Sequence, residues 1–190
     1  MDDAIEAHER CLKAAKLAKE LSAAGAASQR IATLYRGRGQ WQEALVYYRN
    51  FLELARVNRD KASEGRACCA VAACQQQLGD APAAIKTLET YISASVAPDL
   101  YAKAVACSNV GLLFYAQKMY DHACSYFERS YEAAKALGDR KLLNTARFNL
   151  GVARGALNMR AYVDVVNTDL GGVLDWKLRR RAFAGGQFAV

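Results

Sequence analysis

One alanine keeps returning at nearly the same interval. Ala44, Ala84 and Ala123 stand 40 and 39 residues apart, each opening an amphipathic stretch, and a large apolar residue follows four positions later at Tyr48, Leu88 and Phe127. The flanks repeat too. Gly39-Gln40-Trp41 lines up with Gly79-Asp80-Ala81 and Lys118-Met119-Tyr120, and Asp60, Asp99 and Asp139 keep a common phase. Apolar residues within each period recur at three- and four-residue steps, as one face of a helix requires. From Leu100 to Arg140 the face runs Cys107, Val110, Gly111, Phe114, breaks near Gln117-Lys118-Met119, and resumes with Tyr120, Ala123, Cys124, Phe127. Each period therefore holds two helices, and an array of such pairs is a helical solenoid. Asp60, Asp99 and Asp139 are placed to cap the helices that follow. Gly138 closes its helix, because glycine takes the left-handed conformation at low cost.

Laid out by this period, the chain divides into a solenoid over residues 1–178 and a basic, mobile or partner-bound tail over 179–190. The solenoid comprises a half repeat at 2–21, full repeats at 26–57, 62–95 and 100–137, and a degenerate capping repeat at 141–178. Pro82 fits the first turn of its helix. The apolar stripe Ala4, Ala7, Cys11, Ala14, Ala18, Leu21 puts the first helix in the phase of a second helix, without its partner. That predicts a fragment of a longer chain, or a subunit docked on the open flank. In the last unit Val163 and Asn167 replace the alanine and the large apolar residue. A break is expected at Gly171-Gly172, with Leu174 and Trp176 packed back on the array. The Ser93–Asp99 segment, containing Pro98, is expected to be a loop.

These features resemble the tetratricopeptide repeat family, in a form longer than its usual period of about 34 residues. The aromatic-x-x-Ala turns (Trp41 to Ala44, Tyr120 to Ala123), the Asn-apolar-Gly triplets at 109–111 and 149–151, and Leu137-Gly138-Asp139 carry the likeness. It implies an all-α fold, a right-handed superhelical α-solenoid of tetratricopeptide-like helix pairs, whose first helices line a concave groove. By repeat position the expected partner-binding residues are Arg30, Arg36, Arg66, Gln76, Ser108, Asn109, Tyr115 and Asn149, with Gln29, Thr33, Cys69 and Phe148 on the same surface. Asparagine amides both donate and accept, and arginines fork onto carboxylates. Asn109 and Asn149 match the family's peptide-holding asparagine; tying neighbouring helices together explains them equally well. Chaperone-binding members hold a C-terminal carboxylate through lysines, asparagines and an arginine. Those positions here hold Gln29, Thr33, Ala70, Val105 and Asn109, or Cys69, Ala73, Asn109, Thr145 and Asn149, so the carboxylate clamp is rejected. The long repeat resembles axonemal, dynein-associated repeat proteins, as does Val173-Leu174-Asp175-Trp176-Lys177. It also resembles spindle-orientation adaptors, through Glu64-Gly65-Arg66-Ala67-Cys68. The first likeness is the one favoured.

No catalytic set accompanies this pattern. His8 and His122 are the only histidines, and Cys124 diverges from His122 at a two-residue step. No phosphate-cradling glycine motif and no Cys/His metal spacing is present. The six cysteines read as free thiols, mostly buried, in a chain with ample core. No catalytic residue, metal or cofactor and no small-molecule substrate is expected. No apolar run approaches the ~18 residues that would cross a bilayer, and the charged N-terminus is unlike a secretory signal, so a cytoplasmic chain without membrane contact is expected. The axonemal likeness adds a cilium or flagellum as the place within the cell. The net charge of +7 has one dense focus, Lys177-Leu178-Arg179-Arg180-Arg181, which fits an acidic protein surface or solvent better than nucleic acid. The expected function is a non-enzymatic scaffold that grips a helix or extended segment of a protein. The alternative is a structural subunit that assembles through its ends.

Overall fold

The computed structural model describes residues 2–94, 99–179, 183–184 and 187–188. They form α1 (Asp2–Leu17), α2 (Leu21–Gly37), α3 (Trp41–Val57), α4 (Lys61–Gln77), α5 (Ala81–Ala94), α6 (Leu100–Ala116), α7 (Tyr120–Leu137), α8 (Arg140–Thr168) and α9 (Leu170–Arg179). Two-residue strands, β1 (Phe183–Ala184) and β2 (Gln187–Phe188), pair antiparallel beyond them. Each helix packs on the next, and α4 also touches α6, as α6 touches α8. The architecture is an all-α solenoid of helix pairs.

The period follows from the links. Helices α2, α3, α4 and α6 each hold 17 residues. In most links between helices the turning residue is left-handed: Gly39, Gly79 and Gly138, and in the same role Lys19, Arg59 and Lys118. Two 17-residue helices and two three-residue links fill about 40 positions, which is why the repeat exceeds its usual length. Aspartates start several helices. Asp60 accepts from the Ser63 amide at 3.0 Å, Asp80 from Ala83 at 3.0 Å, Asp99 from Tyr101 at 3.1 Å, and Asp139 from Lys141 and Leu142 at 2.9 and 3.0 Å.

The core lies between successive pairs. Ala67, Cys68, Leu88, Cys107 and Val110 form its largest part, with Ala32, Tyr48 and Cys74 on one side and Ala123, Phe127 and Ala153 on the other. Helices approach closely where glycine leaves room: a methyl on Gly111 would lie 2.6 Å from the Phe127 ring. The thiols of Cys68, Cys74, Cys107 and Cys124 are buried and free, Cys69 is half-buried, and Cys11 is exposed.

Three details depart from expectation. Helix α1 ends at Leu17 rather than near 21, and Leu21 opens α2. It is anchored by Ile5, Leu12 and Ala15, while Ala7, Cys11, Ala14 and Ala18 face outward. The large side chains decide which of several overlapping stripes is buried, because alanine contributes little area. Helix α8 runs unbroken for 29 residues, and the break comes at Asp169, ahead of the expected Gly171-Gly172. Asp169 accepts from the Gly172 amide at 2.8 Å, placing both glycines inside the first turn of α9. Val173 is the buried anchor of α9, whereas Leu174 is 56% exposed; the Trp176 side chain lies outside the described residues. So do 95–98 of the expected Ser93–Asp99 loop, and 180–182, 185–186 and 189–190 of the expected tail.

Candidate protein-binding groove

First helices and second helices form two layers. In the second-helix layer the Tyr47 hydroxyl of α3 donates to Glu9 of α1 at 2.8 Å, and the Tyr126 hydroxyl of α7 donates to Glu89 of α5 at 2.6 Å. These two contacts occupy the same repeat position. The first helix therefore takes the place of a second helix, as its phase implies. Burial, reinforced by donation to a carboxylate, pushes both tyrosines up to about 12.

The first-helix layer carries a line of hollows. The principal cleft, about 370 Å³, is floored by α2, α4 and the start of α6, and its walls include Gln29, Thr33, Arg36, Arg66, Cys69, Asp99 and Tyr101. A neighbouring cleft of about 200 Å³ shares Gln29 and Arg66 with it and extends to Asn58 and Asp60. On the other side a pocket of about 130 Å³ shares Cys69 and Ala73 and adds Gln76 and Asn109. Because neighbours share walls, the hollows form one track across three repeats.

Its chemistry is mixed. Arg36 stands exposed on the wall. Arg66 donates to the Ser63 hydroxyl at 2.9 Å, and Ser63 donates to Asp60, whose carboxyl these bonds hold below its ordinary value. Asp99 supplies a carboxylate at one rim. Thr33 and the Tyr48 hydroxyl meet at 3.2 Å. Burial pushes the Cys69 thiol up to about 12, partly offset by a hydrogen bond from the Asn109 amide. Behind the groove the Tyr91 hydroxyl abuts Gly65 and makes no hydrogen bond among the described residues; burial and then Asp99 raise its pKa.

The expected binding residues divide. Arg36, Arg66, Gln76 and Asn109 line the track. Asn149 of α8 instead donates to the Ser108 hydroxyl of α6 at 3.3 Å, so both link successive first helices. Asn109, one repeat earlier than Asn149, instead lines a hollow together with Cys69 of α4. Tyr115 packs against the Tyr120 ring, centroids 5.4 Å apart. Arg30 is exposed on α2 and lines none of these hollows. Asp99 is legible in the sequence only as a cap, and neither its place at the rim nor that of the aromatic Tyr101 follows from the groove positions of the repeat, because both lie at the entry to α6.

His122 is exposed with its ring 5.2 Å from Phe114. No group of three or more metal-ligating side chains occurs among the described residues, and no described helix is long and apolar enough to cross a membrane.

Comparison with known proteins agrees with the architecture. A model of the family described as tetratricopeptide repeat matches residues 27–62 and 106–141. Tetratricopeptide repeat protein 29 of Trypanosoma brucei brucei is 26% identical over 181 residues, covering 92% of this chain. The chain spans 38% of that relative's length. The crystal structure of BtubC (BKLC) from P. vanneervenii superposes with a TM-score of 0.68 at 19% identity, over 98% of this chain and 76% of the other.

Proposed function

The chain is a tetratricopeptide-repeat protein, and from that premise we propose that it is a non-enzymatic scaffold holding a segment of a protein partner along its first-helix layer. The supporting observation is the continuity of the track: hollows on α2, α4 and α6 share the walls Gln29, Arg66, Cys69 and Ala73. An extended or helical segment laid there meets Arg36 and Arg66 for carboxylates and the Gln76 and Asn109 amides for backbone groups. The test is affinity capture with the wild type beside an Arg36→Glu/Arg66→Glu/Asn109→Ala variant whose helicity and urea midpoint are checked. Partners retained by the wild type and lost by the folded variant support the groove. The same partners captured by both refute it.

A second reading has its own observation. On α8 Phe148 is 71%, Met159 57% and Val163 45% exposed, a stripe along one side of the last long helix. We propose that this end serves assembly into a larger structure, that of a cilium or flagellum, a reading supported by the resemblance of the long repeat to axonemal repeat proteins. Substituting Phe148 and Met159 by Lys and following a tagged copy in ciliated cells tests it: a copy that still enters the cilium normally sinks this reading.

A further inference from the structure

The second-helix layer departs from its own pattern at one joint. Between α1 and α3, and again between α5 and α7, an acid on the earlier helix accepts from a tyrosine on the later one. At the joint between α3 and α5 the same two positions hold Arg49 and Thr87. The acid has become a cation and the tyrosine a small hydroxyl residue. What results is a cleft of about 330 Å³, lined by Arg49, Arg56, Lys86, Thr87, Thr90 and Gln75 among others. Every charged residue in that lining is basic.

Local partners leave its cations available. Arg56 touches Glu64 at 3.1 Å, but Glu64 is shared with Lys61 at 2.9 Å. The Arg56 side chain remains 51% exposed. The Thr87 hydroxyl donates to Gln75 at 3.0 Å, fixing the floor. Residues 49 and 56 are two turns apart on one face of α3, and Lys86 faces them from α5, so three positive groups surround a space with no compensating carboxylate in its walls.

We propose that this cleft docks an acidic segment of a protein partner, whose Glu or Asp side chain takes the place of the carboxylate that the other joints supply from within. The docking surface lies on the layer away from the Arg36–Arg66 track and does not depend on it. The occupant is protein rather than nucleic acid. The basic groups gather at one cleft between α3 and α5, whereas a nucleic-acid surface needs a basic stripe with stacking aromatics, and no aromatic lines it.

The probe is a fluorescein-labelled oligoglutamate peptide, titrated with the full chain at physiological ionic strength and read by anisotropy. The Arg49→Glu/Thr87→Tyr variant installs the acid–tyrosine pair of the other joints and fills the cleft. It is expected to fold with a urea midpoint at or above the wild type and to weaken peptide binding about tenfold or more. Lys86→Glu provides the same loss should the double variant fail to fold. Arg140→Glu/Lys141→Glu, exposed at the start of α8 and outside both the cleft and the groove, makes a larger change in net charge and is expected to bind the peptide as the wild type does. Unchanged binding by both cleft variants, or an equal loss in the α8 variant, overturns the proposal. So does a single-stranded oligonucleotide of matched charge that binds as tightly and loses affinity in the same variants.

Discussion

Gly111 and Gly151 occupy the same place in two copies of the Asn-apolar-Gly triplet, yet alanine should have opposite effects at the two. Glycine inside a helix costs about 1 kcal/mol relative to alanine, so each substitution begins with a gain of that size. At Gly111 the new methyl would sit 2.6, 2.7 and 3.0 Å from three carbons of the Phe127 ring. Comfortable carbon–carbon contact is about 3.5–4.0 Å, so the ring or the helix must retreat by roughly an ångström. Phe127 is 1% exposed and enclosed by Ala123, Cys124 and Ala153, which leaves it little room. Overpacking of this kind costs about 1–3 kcal/mol, and the net result is a loss of about 1 kcal/mol. At Gly151 no atom lies within 4 Å of the added carbon, and the gain stands alone. The two variants should therefore differ by about 2 kcal/mol, read as urea midpoints at unchanged slope. In thermal melts the gap is about 4–8 °C for a chain of this length. A Gly111→Ala variant as stable as Gly151→Ala would show that α6 and α7 are not held apart by the Phe127 ring.

Other expectations follow from particular contacts. Tyr47 and Tyr126 are held up to about 12, above the ordinary value of 10.0. Their neutral forms favour the fold, so this contribution is complete below about pH 10 and fades as the pH rises towards about 12. A Tyr47→Phe/Tyr126→Phe variant should lose stability more gradually across that window, as measured by urea midpoints; an identical decline would deny these tyrosines the role. Lys118 holds a left-handed turn that Gly39 and Gly79 hold elsewhere. Lys118→Gly should stabilise the chain by about 1 kcal/mol in the same assay, since the left-handed conformation costs a residue with a side chain about that much. Native thiol titration should show one fast cysteine, Cys11, with the five others slow because they are partly or fully buried. Several fast thiols would contradict the packing of α4 and α6.

The repeat was legible because its signals are redundant: an alanine, a large residue one turn on, and a capping aspartate all fall in one phase. Caps at Asp60, Asp99 and Asp139 could be read from residue type alone, as could the left-handed Gly138. What the sequence hides has a common cause. Lys19, Arg59 and Lys118 turn the chain in a conformation their side chains do not advertise. An alanine-rich helix such as α1 offers several stripes of equal apolarity, so its buried face and its end were misplaced. At the far end Gly171-Gly172 suggested a break on propensity, but Asp169 is the stronger local signal, since its side chain caps the helix that contains both glycines. The groove shows the same division. Repeat position brings Arg36, Arg66, Gln76 and Asn109 to one track, yet whether an asparagine faces a ligand or a neighbouring helix depends on the residue opposite it. Ser108 answers Asn149 in that way only once α6 and α8 are side by side.

The uninterrupted α8 has a mechanical consequence. At 29 residues it outruns the 17 of α6 and the 18 of α7, its neighbours in the stack. At 1.5 Å per residue the excess of 12 over α6 projects about 18 Å past the edge of the array. Such a projection is a lever. A tilt of about 10° where α8 seats against α6 and α7 moves its tip by about 3 Å, carrying α9 with it. A slight flexing of the stack is thereby converted into displacement at one end, in the direction set by the axis of a single helix.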